Sequence, residues 1–338
     1  MSEQSVAGKK NKLKLAAFAP LMAIAVGCMP GITNAADAGN YPSKPINLIV
    51  GYAPGGGSDL VVRLLAPYIE KELGNSARIV VSNKPGAGGA IGFSELARSA
   101  PDGYTIGLIN TPNVLTIPIE RKTTFTWRSF DLLGNIVDDP DNFSVHSDSP
   151  IKSLADLAMA AKAKPGALSV GTTGAGSDDH LAMLMFQKMA NVQMIHAPFK
   201  GASEVRTAVQ GKQIDVAAVN IGEALQFSTA GTPLRHLGVM SPKRNELAPE
   251  VPTFKEQGYD INMLSLRGLA APKGLPPEIR TRLVAAAEKA IANPEFQKKA
   301  AQAYAPVRYL SPSKYEAELK ETDEQFQKLW KEMPWAEK

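Results

Sequence analysis

Two stretches of this chain follow one pattern. INLIVGYAPGGGSDLVVRLL spans residues 46–65 and GALSVGTTGAGSDDHLAMLMF spans 166–186. In each, an apolar run of strand length enters a glycine-rich turn, then Gly-Ser-Asp, then residues with helical spacing. A strand followed by a helix through a short glycine turn is the unit from which parallel sheets are built. Such a turn delivers a helix N-terminus to the C-terminal edge of a sheet, where open α/β sheets bind ligands. Two such units predict two ligand-facing edges.

The surrounding chain fits the same architecture. Ile46–Val50 reads as a strand, Asp59–Leu73 as a helix, Arg78–Ser82 as a strand, Gly92–Arg98 as part of a helix and Tyr104–Ile109 as a strand. This β-α-β-α-β rhythm predicts a parallel sheet covered by helices. Pro67 lies inside the first helix and is expected to kink or shorten it. The polar, acidic VDDPDN (137–142) reads as a break before a second series. There, Ser153–Lys162, Asp178–Ala190 and Ala202–Gln210 read as helices. Leu168–Gly171, Met194–Ala197, Ile214–Val219 and Leu234–Val239 read as strands. Ser153 is a plausible N-cap with Asp156 at the capping-box position. The tail reads as helices only. Ile279, Leu283, Ala287 and Ile291 share one face, and Ser311-Pro312 opens a last helix. These helices are expected to pack back on the first unit.

The chemistry expected of the two turns follows from helix ends. About four N–H groups in the first turn lack partners, and the macrodipole adds roughly half a positive charge. Glycines let a ligand approach the backbone, so each turn is a candidate anion site. Neither turn carries the Lys-Ser/Thr of a Walker loop or the G-x-G-x-x-G dinucleotide pattern. Asp59, Asp178 and Asp179 would repel a doubly charged phosphate more than a single carboxylate, so carboxylate is favoured, held partly through water. The structural alternative is that Ser58 and Ser177 are ordinary N-caps.

Other candidates cluster at predicted strand ends. Asn110 and Thr111 end one strand and Asn220 another; Tyr52 and Phe199 could form apolar walls. Lys200 reads as a solvated loop residue or a ligand cation. Arg267, set among apolar residues in MLSLRGLAAP, either snorkels or grips a carboxylate with two hydrogen bonds. Ser177, Asp179 and His180 could suggest a hydrolase. However, they share one helical turn with no base held behind the serine by a separate element. His180 is expected to line the cleft. The four histidines, at 146, 180, 196 and 236, have no paired metal-ligand spacing. No catalytic, metal or cofactor site is therefore expected.

The N-terminus reads as a targeting segment. Lys9, Lys10, Lys12 and Lys14 precede an apolar run from Leu15 to Gly27, with a cleavage point expected after Ala35. Removing residues 1–35 leaves 33 basic and 32 acidic residues, a net charge of +1. The basic balance of the whole chain is then mostly a targeting feature and gives no reason to expect nucleic acid. Cys28, the single cysteine, lies in this leader. Ala25-Val26-Gly27-Cys28 also offers a second reading, a lipid anchor, although the usual Leu three places before the Cys is missing. No later segment is long and apolar enough to span a bilayer.

Five stretches in order carry a family resemblance: YPSKPINLIVGYAPGGGSD, NKPGAGGAIG…APDGYT, AKAKPGALSVGTTGAGSDDHLA, IHAPFKGASE and VPTFKEQG. Together they resemble the Bug family, the extracytoplasmic solute-binding proteins of tripartite tricarboxylate transporters. The resemblance implies an α/β, two-domain type II periplasmic binding protein fold with a ligand cleft between the domains. Domain 1 would take 41–142 plus 264–338, and domain 2 would take 143–263. It implies a periplasmic, monomeric, non-enzymatic protein without cofactor. Its partners would be a small carboxylate and the membrane components of the transporter. A sensor-kinase partner is the alternative, and an exported hydrolase a more distant one. The family holds a ligand carboxylate between two loops, here Gly55–Asp59 and Thr173–Ser177. The expected ligand-binding set is Tyr52, Gly56, Gly57, Ser58, Asp59, Asn110, Thr111, Thr173, Gly174, Gly176, Ser177, His180, Phe199, Asn220 and Arg267. Two departures bear on the ligand. Val219-Asn220 stands where the family often has Asp-Asn, which argues against an amino acid. Leu266-Arg267 keeps an arginine suited to a second carboxylate. A di- or tricarboxylate, or an aromatic carboxylate, is the expected ligand.

Overall fold

The structure is a computed structural model that describes residues 40–336. The expected leader, Cys28 and the cleavage point lie outside the described residues.

Ten strands and ten α-helices make up most of the regular structure of the described chain. The first half runs β1 (Ile46–Val50), α1 (Gly57–Leu73), β2 (Ile79–Asn83), α2 (Ala90–Arg98), β3 (Thr105–Asn110) and α3 (Asn113–Glu120). A long strand, β4 (Phe130–His146), then leads to α4 (Leu154–Ala163), β5 (Ser169–Thr172), α5 (Asp178–Ala190), β6 (Ile195–Pro198) and α6 (Ala202–Gln210). Next come β7 (Val216–Asn220), α7 (Ile221–Thr229), β8 (Leu234–Val239) and β9 (Leu264–Pro272). The chain ends with α8 (Pro277–Ala292), α9 (Pro294–Gln302), β10 (Val307–Leu310) and α10 (Pro312–Glu332).

Sequence periodicity explains most of these elements. Ile46, Leu48, Ile49 and Val50 are all buried because helices cover both faces of β1. In α1, Val61, Val62, Leu65, Ala66, Ile69 and Leu73 form one buried stripe. The expected kink at Pro67 does not divide this helix. Pro67 is exposed, and α1 runs through it as one element. The Ser153 cap is present, with its hydroxyl accepting from Asp156 N–H at 3.1 Å. The reciprocal bond goes one residue earlier than a capping box, from Lys152 N–H to Asp156 at 2.9 Å.

The sheet differs from expectation in being mixed. Its strand order is β2-β1-β3-β9-β4-β7-β5-β6, with β8 and β10 also paired to β4. Only β2-β1-β3 and β6-β5-β7 are parallel, whereas β9 runs antiparallel to β3 and β4. VDDPDN is not a break. It lies inside the 17-residue β4. From Phe130 to Pro140 that strand pairs with β9, and from Asp141 to Val145 with β7. Pro140, which has no N–H to donate, falls where the ladder passes from one partner to the other. The tail also has strands: β9 forms part of the central sheet, and β10 pairs with β4 at Val137 and Asn135.

Candidate functional site

The two glycine turns face each other over a narrow buried cavity. Tyr52, Gly56, Gly57, Ser58, Asn110, Thr173, Asn220 and Arg267 line it, all from the expected set. Asn113, Asp178, Ala202, Glu223 and Ser265 complete the lining. Water centres can reach about 20 Å³ of it, room for one or two waters. A larger ligand enters only when the walls move apart.

The first turn brings α1 in end-on. Gly57 N–H points into the cavity and donates to Glu223 Oε1 at 2.6 Å. A Cβ at Gly57 would stand 2.6 Å from both Arg267 Nη1 and Glu223 Oε1, so only glycine allows this approach. Ser58 is not a cap, because Gly56 holds that position. The Ser58 hydroxyl instead accepts from Asn110 Nδ2 at 2.8 Å. Asp59 turns away from the cavity and takes bonds from Gly55 N–H, Arg63 and Asn83. Burial pushes its carboxyl up, but these donors outweigh it and hold the group below its ordinary value.

The second turn is built differently. Ser177 is a true N-cap, its hydroxyl accepting from His180 N–H at 3.1 Å. Asp179, not Asp178, clasps the turn, taking Thr173 N–H at 2.9 Å and Thr173 Oγ1 at 2.6 Å. Asp178 points at Asn220, whose Nδ2 donates to it at 2.7 Å. Contacts across the cleft hold this turn and the loop after β6 against the other half of the sheet. Thr116 Oγ1 donates to Gly176 O at 2.6 Å, and Ala53 N–H donates to Lys200 O at 3.2 Å.

Several expected residues sit elsewhere. The His180 ring accepts from Gly176 N–H and stacks on His196 at 3.9 Å, beside a separate cavity lined by Met183, Met194 and Trp335. Burial, with His196 next, pushes its pKa down to about 3, so it is neutral. Ser177 meets the His180 backbone rather than its ring, so the pair has no nucleophile–base geometry. Thr111 faces β9, accepting from Leu266 N–H and Ser265 Oγ. Phe199 packs on the α6 side of the sheet with Val205. Gly174 is pressed against Gly88, and Gly176 is turned to Thr116. Neither is part of the cavity lining.

At the centre stands Arg267, paired across β9 with Asn110 and Val137 and 3% exposed. Its guanidinium donates to Asp139 at 3.2 Å and to Asn220 Oδ1 at 2.8 Å, and approaches Glu223 at 3.4 Å. Burial alone would lower its pKa. Glu223, then Asp139 and Asp178, raise it more, so it stays cationic. The two-pronged grip expected for a ligand carboxylate is thus already made to the protein's own groups.

The site is rich in carboxyls. Asp139 is pushed up to about 7, chiefly by burial, against the pull of Arg267 and with the charge of Glu223 adding to the push. Asp178 is pushed up to about 6, again by burial, with Asn220 and Arg267 working against it. Behind them, burial and neighbouring charge hold Asp141 and Asp179 well above the carboxylate range. Four buried polar atoms of the lining have no hydrogen-bond partner among the described residues. Asn113 Nδ2 and Arg267 Nε are donors; Asn110 Oδ1 and Glu223 Oε2 are acceptors. Buried polar groups are normally satisfied, so this group is the best marker of a binding site. Among the described residues, no group of three or more His, Cys, Asp or Glu side chains could hold a metal ion.

Sequence reasoning missed Glu223, Asn113 and Asp139. Glu223 looks like any acid in the first turn of a helix, and Asp139 was hidden in an apparent loop. Asn113, three residues after Asn110, was the one with a visible signal.

Comparison with known proteins agrees with this architecture. A family model described as the tripartite tricarboxylate transporter family receptor matches residues 61–333. The UPF0065 protein in gbd 5'region of Cupriavidus necator is 33% identical, over 87% of this chain and 88% of that protein. Among solved structures, the periplasmic binding protein BugD is 31% identical with a TM-score of 0.82, over 88% of this chain and 100% of that one. The R. palustris protein Rpa4515, solved with adipate, is 25% identical with a TM-score of 0.81, over 86% of this chain and 97% of that one.

Proposed function

Starting from the fact that this chain belongs to the tripartite tricarboxylate transporter receptor family, we propose that it captures a small carboxylate between its two glycine turns and presents it to the membrane components of such a transporter. Its α/β fold is the two-domain fold of periplasmic binding proteins. The observation that carries the reading is the cavity itself. Gly57 N–H, the Arg267 guanidinium and the unpartnered Asn113 amide converge there as donors. Donors fixed in a buried site are what an anion needs. The neighbour solved with adipate supports a carboxylate ligand.

The binding set we propose is Tyr52, Gly56, Gly57, Ser58, Asn110, Asn113, Thr173, Asn220 and Arg267. The lobes would be 41–142 plus 264–338 and 143–263. The change of β4 partner between Pro140 and Asp141 supports a hinge there. Closure would then exclude water and let both lobes touch the ligand. Because Arg267 is committed to Asp139, Asn220 and Glu223, a second ligand carboxylate would have to draw it from that set. Among the described residues, no helix is long and apolar enough to cross a membrane. Export to the periplasm follows the family.

A thermal-shift screen of mono-, di- and tricarboxylates on the refolded protein tests this reading. Stabilisation by at least one carboxylate, absent with its amide analogue, is expected; no response to any of them would refute it.

A further inference from the structure

The anion position at the end of α1 holds a carboxylate already, and it belongs to Glu223. Three observations define it. Gly57 N–H, the first helical amide of α1, donates to Glu223 Oε1 at 2.6 Å. Arg267 Nη2 lies 3.4 Å from the same oxygen. The Glu223 side chain is 6% exposed, and its second oxygen has no partner, as is true of the Arg267 Nε and Asn113 Nδ2 donors that line the same cavity. A helix amide and a guanidinium meeting on one oxygen is the coordination an incoming carboxylate would seek. The residue comes from α7, on the far side of the cleft from α1, so its contact also ties the two walls together.

We propose that Glu223 is a built-in occupant of this site, and that a ligand carboxylate binds at α1 only by displacing it. The inference rests on the carboxylate-receptor reading above. Binding is then an exchange of one anion for another. An ionised ligand replaces the charge that Glu223 withdraws. A neutral amide analogue could offer its carbonyl oxygen to Gly57 N–H but would leave Arg267 short of one counter-charge. Glu223 thereby selects charged ligands over neutral ones, lowers the affinity for all of them, and holds the cleft together through its bond to Gly57.

The test uses the purified protein, unfolded and refolded to strip bound ligand, with adipate and succinate as probes in titration calorimetry. Wild type, Glu223→Gln and Glu223→Ala are compared. Both variants should bind a probe more tightly than wild type, by about tenfold or more for the alanine, and the alanine should also discriminate less against adipamide. Affinity that is unchanged or lower in both variants overturns the proposal, because Glu223 would then be a ligand-binding acceptor or a bystander. X-ray scattering without probe gives a second arm: Glu223→Ala should be the more open, with a larger radius of gyration than wild type. Equal dimensions overturn the tie across the cleft. If no form of the protein binds either probe, the carboxylate reading fails, and the scattering arm alone decides the role of Glu223.

Discussion

Arg267→Met removes the single cation that the described residues bring to the cavity lining, while keeping much of the side-chain length. The structure says what is left behind. Asp139 Oδ2 loses its ion pair at 3.2 Å, Asn220 Oδ1 loses a donor at 2.8 Å, and Glu223 keeps only Gly57 N–H. Breaking a buried pair from one side costs about 3–5 kcal/mol, because the remaining charge stays buried and uncompensated. The roughly 300 described residues carry an unfolding entropy of about 0.6 kcal/mol/K, so the variant should melt about 5–8 °C below wild type at pH 8. At pH 5.5 the loss should be about half as large or less. Asp139, already pushed up to about 7, escapes the missing cation by taking a proton. Circular dichroism melts at the two pH values measure this. Adding Asp139→Asn to the variant should recover about 1 kcal/mol or more, as coupled neighbours do. A drop below about 2 °C at pH 8, or the same drop at both pH values, would refute the view of Arg267 as the counter-charge of this cluster.

Other expectations follow from the same geometry. In wild type, the raised Asp139 and Asp178 bind protons that the unfolded chain has lost between about pH 4 and 7. Their stabilisation is therefore complete below pH 4 and is lost as pH rises through 7. These groups should make Tm fall from pH 5 to pH 8, with a smaller fall in Asp139→Asn. Gly57→Ala puts a methyl 2.6 Å from Arg267 and Glu223. It should cost about 1–3 kcal/mol of stability, measured by thermal melts, because both crowded atoms belong to charged side chains held in a buried cluster. Ser177→Ala removes an N-cap and should cost about 1 kcal/mol of stability with binding nearly unchanged. Ser58→Ala frees Asn110 Nδ2 at the cavity and should do the reverse.

The two glycine turns were legible because their chemistry is local. A glycine run, a small hydroxyl and an acid at a helix start carry their own geometry wherever they occur. What those acids and hydroxyls touch was not local. Ser58 and Ser177 occupy matching sequence positions, yet one caps a helix and the other holds Asn110. β4 escaped notice because Asp138, Asp139, Pro140 and Asp141 are poor strand formers. They stand in a central strand because partners far along the chain accept them: Arg267 and Gly222 N–H for Asp139, and Arg308 for Asp138. Arg267 stands out in the sequence as an arginine among apolar residues, but its partners belong to three other segments. Glu223 could be recognised only once α7 was seen to face α1.

The length of β4 bears on how the molecule comes apart. One continuous strand supplies hydrogen bonds to both parts of the sheet, and one apolar cluster runs from Ile46 and Leu48 through Phe143 to Val170 and Phe186. Neither part can melt alone without stripping the other of its ladder along β4. Heating should therefore give a single calorimetric peak whose measured enthalpy matches the van't Hoff value. A protein that opens at a cleft would then behave, toward heat, as one indivisible unit.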